Sequence, residues 1–320
     1  MDAATPRIPA VPETMRAYGF ARYGGPEVEE YFAAPVPVPG SGQVLVQVLA
    51  AGLNPADIKV RAGKRAGVFD VVFPMAMGRE AAGAVVALGP DVEGLTVGER
   101  VFGSPVAGVG TLAEYVLLDA AATAPVPASL TITEAACVPV AVGTTLDVFD
   151  HLLVTAGDGL LVLGAGGGVG SAACQLGVAR GLRVVGVASA AKQDLVAGFG
   201  AHPVVSGEGW VDRARAALDG PVVAVLDLVG GEVLHEAFRL CGDETQLVSI
   251  ADPVQAGQVG GTGVVRRRTS EAYAAAAQLI ADGAVRPVIR TEPFSHAREA
   301  YAEIETGHTT GKIVVIFDAD

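Results

Sequence analysis

The chain has 320 residues and a formal net charge of −13, with hydrophobic residues at 51% and charged residues at 18%. That apolar content can build a large core and excludes a mainly disordered chain, while the acidic balance argues against nucleic acid or an anionic membrane as partner. Glycine is in excess at 42 residues, without a collagen period, so it must serve turns, close backbone approaches or ligand loops.

Met1 to Thr14, with three prolines and no apolar run, reads as a short flexible tail rather than a signal peptide. The next part, to about residue 130, reads as β-rich. Gln43–Ala50 alternates polar and apolar, Gly83–Gly89 is a short apolar strand, and Val97–Phe102 and Ala113–Leu118 continue the texture. A Pro-bearing segment, Thr123–Thr133, leads into helical sequence around Glu134–Val154. From Leu160 strands and helices alternate. Strands are predicted at Leu160–Leu163, Arg183–Ala188, Pro203–Val205, Val222–Leu228 and Gln246–Ile250. Helices fit Gly168–Arg180, Ala191–Phe199, Trp210–Leu218, Gly231–Cys241 and Thr269–Asp282. That order predicts an α/β fold with a doubly wound parallel sheet. The tail returns to short elements: Pro287–Arg290, a helix over Ser295–Glu305 and a last strand, Ile313–Phe317.

One stretch imitates a membrane span. The 21 residues between Asp158 and Arg180 carry no charge, but seven of them are glycine, and a strand, a glycine turn and a buried helix explain that clustering better. Cys137, Cys174 and Cys241 are sparse and odd in number, as suits a reducing cytoplasm. The five histidines form no metal-ligand spacing, and no metal is expected.

Leu160–Leu163 runs into Gly164-Ala165-Gly166-Gly167-Gly168-Val169-Gly170 and then a helix. Glycines there let the backbone turn sharply and approach a pyrophosphate, and the helix start supplies free N–H groups. A GxxGxxG reading, Gly164/Gly167/Gly170, fits without exception, whereas strict GxGxxG fails in every register. An ordinary strand-to-helix turn is the plainer alternative. The βαβ setting favours a dinucleotide. The next strand ends Val187-Ala188-Ser189-Ala190-Ala191-Lys192, with no acid to hold a ribose 2′-hydroxyl. Ser189 and Lys192, one of only four lysines, can receive a 2′-phosphate, which points to NADPH. A helix cap at Ser189 and a solvated Lys192 would read the same way.

Taken together, these residues and their flanks resemble the medium-chain dehydrogenase/reductase superfamily, in its zinc-independent quinone oxidoreductase branch. The resemblance runs from about Met15 to Phe317. Its marks are Tyr23-Gly24-Gly25-Pro26-Glu27-Val28, Gly52-Leu53-Asn54-Pro55-Ala56-Asp57, Arg61-Ala62-Gly63, Phe73-Pro74, and Gly78-Arg79-Glu80-Ala81-Ala82-Gly83. Gly98-Glu99-Arg100-Val101, Gly110 to Tyr115, Asp227-Leu228-Val229-Gly230-Gly231 and Gly311-Lys312-Ile313-Val314 complete them. It implies a GroES-like β-rich catalytic domain, 1–136 with 284–320, and an inserted Rossmann domain, 137–283. It also implies that Asn54 and Thr145 border the nicotinamide and that Ser249, Ile250 and Ala251 line the cofactor through their backbone. Val229 belongs to the turn that ends in Gly230-Gly231, and Lys312 would approach the cleft from the returning tail. A homodimer joined edge to edge through the Rossmann sheets is implied as well. The departures are specific. Zinc-dependent relatives carry Cys at Asn54 and His-Glu at Arg79-Glu80, and the four-cysteine lobe is absent. Ser206 stands where relatives often place an aromatic residue near the adenine, and Lys64-Arg65-Ala66-Gly67 lacks a tyrosine common in relatives.

Without a Lewis-acid metal or a Tyr-x-x-x-Lys pair, which no tyrosine here forms, the expected acceptor needs little activation. A quinone fits, and an α,β-unsaturated carbonyl of secondary metabolism is the alternative; a non-catalytic NADPH-binding redox sensor is the alternative of another class. Asn54 could hydrogen-bond a developing oxyanion or only hold the cofactor ribose or its own loop. Asp57 could be a structural acceptor, a helix cap or a catalytic group. Arg79 could face an acidic or oxygenated substrate, with a surface salt bridge the favoured reading, and Arg266-Arg267-Arg268 could meet a phosphate, with a solvated face favoured.

Overall fold

The computed structural model describes residues 11–318; the expected tail therefore lies outside the described residues up to Ala10. Thr14 already opens a strand, β1 (Thr14–Phe20), which pairs antiparallel with β2 (Glu29–Pro35). β3 (Gln43–Gly52) leads into a short helix, α1 (Pro55–Arg61), whose proline occupies the first turn, where no N–H partner is needed. The two-residue β4 (Met75–Ala76) adds to β1. β5 (Glu80–Leu88), β6 (Arg100–Pro105) and β7 (Tyr115–Pro125) follow. They form an antiparallel sheet with β3, and β3 also pairs with β7.

The link to the second half is mainly helical. α2 (Ile132–Ala135) is capped by Thr131 and Glu134, each side chain serving the other's backbone N–H. A five-residue π-helical turn, Val138–Val142, then joins α3 (Gly143–His151). β8 (Gly159–Leu163), α4 (Gly168–Ala179), β9 (Arg183–Ala188), α5 (Gln193–Gly198), β10 (His202–Val205), α6 (Trp210–Leu218), β11 (Val222–Asp227), α7 (Gly231–Ala237) and β12 (Gln246–Ser249) alternate. They make a five-stranded parallel sheet in the order β10-β9-β8-β11-β12. The order reverses between β8 and β11, which opens a crevice at the carboxyl ends of those strands. After α8 (Pro253–Gln258), α9 (Ser270–Ala281) starts on Thr269, whose hydroxyl accepts the Ala272 N–H. β13 (Ile289–Pro293), α10 (Ala297–Glu305) and β14 (Lys312–Ile316) bring the chain back, and β14 pairs with β3.

One apolar core joins the two sheets. It runs from Ala82, Phe102 and Ala124 through Val138, Val142 and Phe149 to Leu160, Val162 and Leu226. A second core fills the barrel beneath α10, which buries Ala297, Ala300, Tyr301 and Ile304 at helical spacing. Among the described residues no helix is long and apolar enough to cross a membrane. The uncharged stretch after Asp158 divides into β8, the glycine loop and α4, as its clustered glycines require.

A polar network crosses the second core. The Arg61 guanidinium, 2% exposed, donates to Glu29 and to Glu305 of α10, and Tyr18 donates its hydroxyl to the other Glu29 oxygen. Removing the cation strands a buried carboxylate, which costs far more than the pair contributes. Arg61→Met is expected to lower the unfolding free energy by about 3–5 kcal/mol in urea titration; a loss below about 1 kcal/mol would show that the pair is dispensable.

Candidate active site

The glycine loop closes the crevice between β8 and α4. Gly164 sits at φ +82°, a conformation that L side chains rarely adopt. A Cβ on Gly170 would lie 2.2 Å from the Gly164 carbonyl oxygen, so the turn and helix pack too closely for any side chain. Gly167 precedes α4 without a side-chain cap, leaving the first N–H groups of a 12-residue helix for a ligand. The cradle therefore fits a dinucleotide pyrophosphate, with Gly166, Gly168 and Val169 in the same turn.

The returning tail lies across this loop. Gly311 N–H donates to the Gly166 carbonyl at 2.9 Å, and the Lys312 stem passes directly over Gly168. The Lys312 ammonium spends all three protons inside the protein, on the Leu53 carbonyl at 2.8 Å, Asn54 Oδ1 at 2.6 Å and Glu80 Oε1 at 2.6 Å. Lys312 is 5% exposed and Glu80 0%. The second Glu80 oxygen accepts the Val140 N–H at 2.7 Å, inside the π-helical turn. One carboxylate thus holds the tail, the β3–α1 corner and the entry to α3 together.

Asn54 ends β3 and starts α1. Its amide N–H groups donate to the Gly52 carbonyl at 3.2 Å and to Glu80 Oε1 at 3.1 Å. Both amide protons are committed to the protein, which leaves none for an acceptor oxygen. The Thr145 hydroxyl is likewise turned inward, to the Ala141 carbonyl at 3.0 Å and the Val169 carbonyl at 3.3 Å, tying α3 to α4. Ser249 bonds Asp227 at 2.6 Å and accepts the Asp252 N–H at 2.9 Å, while Ile250 N–H donates to the Asp227 carbonyl. The Ala251 carbonyl accepts from Lys59 of α1 at 3.1 Å, a bridge across the crevice that the sequence reading omits.

The proposed adenosine side is arranged differently. Ser189 precedes the first turn after β9 without a side-chain bond to it, and Ser206 follows β10, its N–H on the Ala188 carbonyl. Lys192 lies against Gly166 and donates to the Thr309 carbonyl at 2.7 Å, keeping two further protons. Val229, half exposed, borders Gly164.

Asp57 is buried and Arg79 half-buried. One Asp57 oxygen accepts from Asn54 N–H at 2.8 Å and Tyr301 hydroxyl at 3.0 Å, and the other is buried without a partner. It is therefore both the acceptor and the cap foreseen for it. Arg79 stacks on Phe69, its guanidinium carbon 3.9 Å from the ring centre. Arg266 and Arg267 pair with Asp147, and Arg267 also with Asp150, so those two arginines serve α3. Among the described residues no group of three His, Cys, Asp or Glu could hold a metal ion. Asn54 and Arg79 do not form a zinc donor set.

The chain matches the family described as alcohol dehydrogenase GroES-like domain over residues 40–128 and that described as zinc-binding dehydrogenase over residues 199–315. It is 30% identical to the mouse quinone oxidoreductase, over 94% of this chain and 98% of that one. It is also 30% identical to the chloroplastic NADPH-dependent alkenal/one oxidoreductase of Arabidopsis thaliana, over 96% of this chain and 80% of the relative. The solved quinone oxidoreductase of Coxiella burnetii superposes with a TM-score of 0.85 at 29% identity, covering 95% of this chain and 99% of that one. This protein belongs to the medium-chain dehydrogenase/reductase superfamily, in its quinone-oxidoreductase-like branch. It is an NAD(P)H-dependent oxidoreductase with a GroES-like domain and a Rossmann-like domain.

Burial raises the Asp57 carboxyl from its usual 3.8 to about 7, against the lowering pull of the Asn54 N–H, Arg79, Lys312 and Tyr301. Between those values the folded chain holds a proton that the unfolded chain has released. This group's contribution to stability therefore falls as pH rises from about 4 to about 7. Asp57→Asn is expected to abolish that dependence, so urea titrations should show the variant gaining on the wild type as pH rises through this window. A difference independent of pH would contradict it.

Proposed function

We propose that the protein reduces a quinone with NADPH. Support comes foremost from the glycine cradle, where helix N–H groups and close-packed glycines suit a pyrophosphate. When bound, the reduced nicotinamide supplies a hydride to a conjugated carbonyl acceptor. Asn54 and Thr145 border its ring and set its position through their own fixed bonds. Ser249, Ile250 and Ala251 present backbone along its path. Ser189 and Lys192 hold the 2′-phosphate, with Ser206 beside the adenine. An acid at the end of β9 would repel that phosphate, and the strand ends in Ala188 and Ser189 instead. Lys312 supports the ring site from behind through Asn54.

Hydride addition leaves a hydroquinone or enolate anion that takes its proton from solvent, so no side chain beside Asn54 has to transfer one and the site's contribution is orientation. An α,β-unsaturated carbonyl suits the same site, a reading supported by the likeness to the alkenal/one oxidoreductase. The remaining expectations, a homodimer in the cytoplasm and the boundaries after 136 and 283, belong to this proposal.

Wild-type protein is expected to bind NADPH about tenfold or more tightly than NADH, as one charge-assisted contact provides, and Lys192→Ala should erase most of that difference in fluorescence titration. Equal affinities would refute the phosphate assignment. Steady-state rates with 9,10-phenanthrenequinone, 1,4-benzoquinone and 2-alkenals should favour the quinones; faster turnover of alkenals selects the enone reading, and oxidation of NADPH by none removes both.

A further inference from the structure

Three consecutive arginines precede α9, and two are spoken for. Arg266 and Arg267 pair with Asp147 and Asp150 of α3. Arg268 turns the other way, its guanidinium carbon 5.8 Å from the centre of the Phe69 ring. Arg79 reaches the same ring at 3.9 Å. Phe69 and Arg79 come from the barrel side, in the loop after α1 and at the start of β5, and Arg268 comes from the segment that straps α3. Two cations from opposite sides thus meet at one aromatic ring.

Neither arginine has an ion-pair or hydrogen-bond partner among the described residues. In a chain of net charge −13, two adjacent cations without a carboxylate in reach form an unusual local field. Burial, with a further push from Arg268 and against the pull of Asp57, brings the Arg79 guanidinium down to about 10. Stacking uses only the face of a guanidinium. A guanidinium engaged by its face keeps its in-plane N–H groups available for a carboxylate. Asp57 is felt by Arg79 through space but does not approach to pairing distance.

The place matters as much as the charge. Arg79 directly precedes Glu80, whose carboxylate holds Asn54 and Lys312. We propose that Arg79 and Arg268, seated on Phe69, form an anion subsite that selects acceptors carrying a carboxylate. This rests on the hydride-transfer reading of the site and names its substrate class: a quinone or enone with an acidic group beside the conjugated carbonyl. Placing an anion between the two cations relieves their repulsion, which a neutral acceptor does not. The gain belongs to the substrate's acidic arm, so it should appear as discrimination between an acid and its ester.

The test compares kcat/KM for (E)-4-oxopent-2-enoate with that for its methyl ester. The wild-type ratio is expected to exceed about tenfold, the scale of one charge-assisted contact. It should fall toward one in Arg79→Met and stay intermediate in Arg79→Lys, which keeps the charge and loses the fork. If Arg79→Met does not fold, Arg268→Met reads the same ratio from an exposed side chain. A wild-type ratio at or below one, or a ratio unchanged by both Met variants, overturns the proposal; in the second case Arg79 acts on the acceptor oxygen common to acid and ester. If neither compound is turned over, calorimetry with 4-oxopentanoate in the presence of NADP+ decides. Binding by the wild type that Arg79→Met loses keeps the anion subsite and discards the hydride reading, while no binding by the wild type overturns the subsite.

Discussion

The structure depends on one buried ion pair, Lys312 with Glu80. Two charges removed from water cost several kcal/mol apiece unless every donor and acceptor is matched. Here the match is complete on the cation, whose three protons all have oxygen partners, and Glu80 gains Asn54 and Val140 besides Lys312. The pair joins residues 232 positions apart. It fixes the final strand against the barrel, lays an aliphatic stem across Gly168, and sets the π-helical turn before α3. The dinucleotide cradle and the β3–α1 corner are consequently held by the same carboxylate.

That arrangement changes what Asn54 can do. An amide looks suited to an oxyanion because it donates without titrating. In the folded chain its donors are saturated by Gly52 and Glu80, which leaves none for an acceptor oxygen. Thr145 follows the same logic, with its hydroxyl joining two helices. Among the described residues, donors without a protein partner are found instead at the start of α4, on Lys192 and on Arg79 and Arg268.

Much of the fold was legible because its signals are local. Arg183–Ala188 and Trp210–Leu218 are found where apolar periodicity put them, and β8, the glycine loop and α4 follow from glycine placement. β1 and β2 escaped notice because neither shows a clean alternation: β1 ends in four consecutive buried residues and β2, at the edge of its sheet, is mostly exposed. α1 hid within Asn54-Pro55-Ala56-Asp57, which reads equally as a loop. The helical stretch after Glu134 is broken into α2, a π-turn and α3, because Pro139 lacks an N–H and Glu80 receives the one from Val140. Lys59 received no site reading, and Glu80 and Arg268, named only within Arg79-Glu80 and the arginine triplet, take their meaning from partners far along the chain. Lys312 was marked by the resemblance as approaching the cleft, but its three partners, Leu53, Asn54 and Glu80, were not legible in the sequence.

A double-mutant cycle on Glu80→Gln and Lys312→Met, read as unfolding free energy in urea, tests the central claim most directly. Each single change should cost about 3–5 kcal/mol by stranding a buried charge, and the double variant should cost clearly less than their sum. Losses that add to within about 0.5 kcal/mol would show two independent residues, and the pair would no longer explain how barrel, tail and glycine helix are held together.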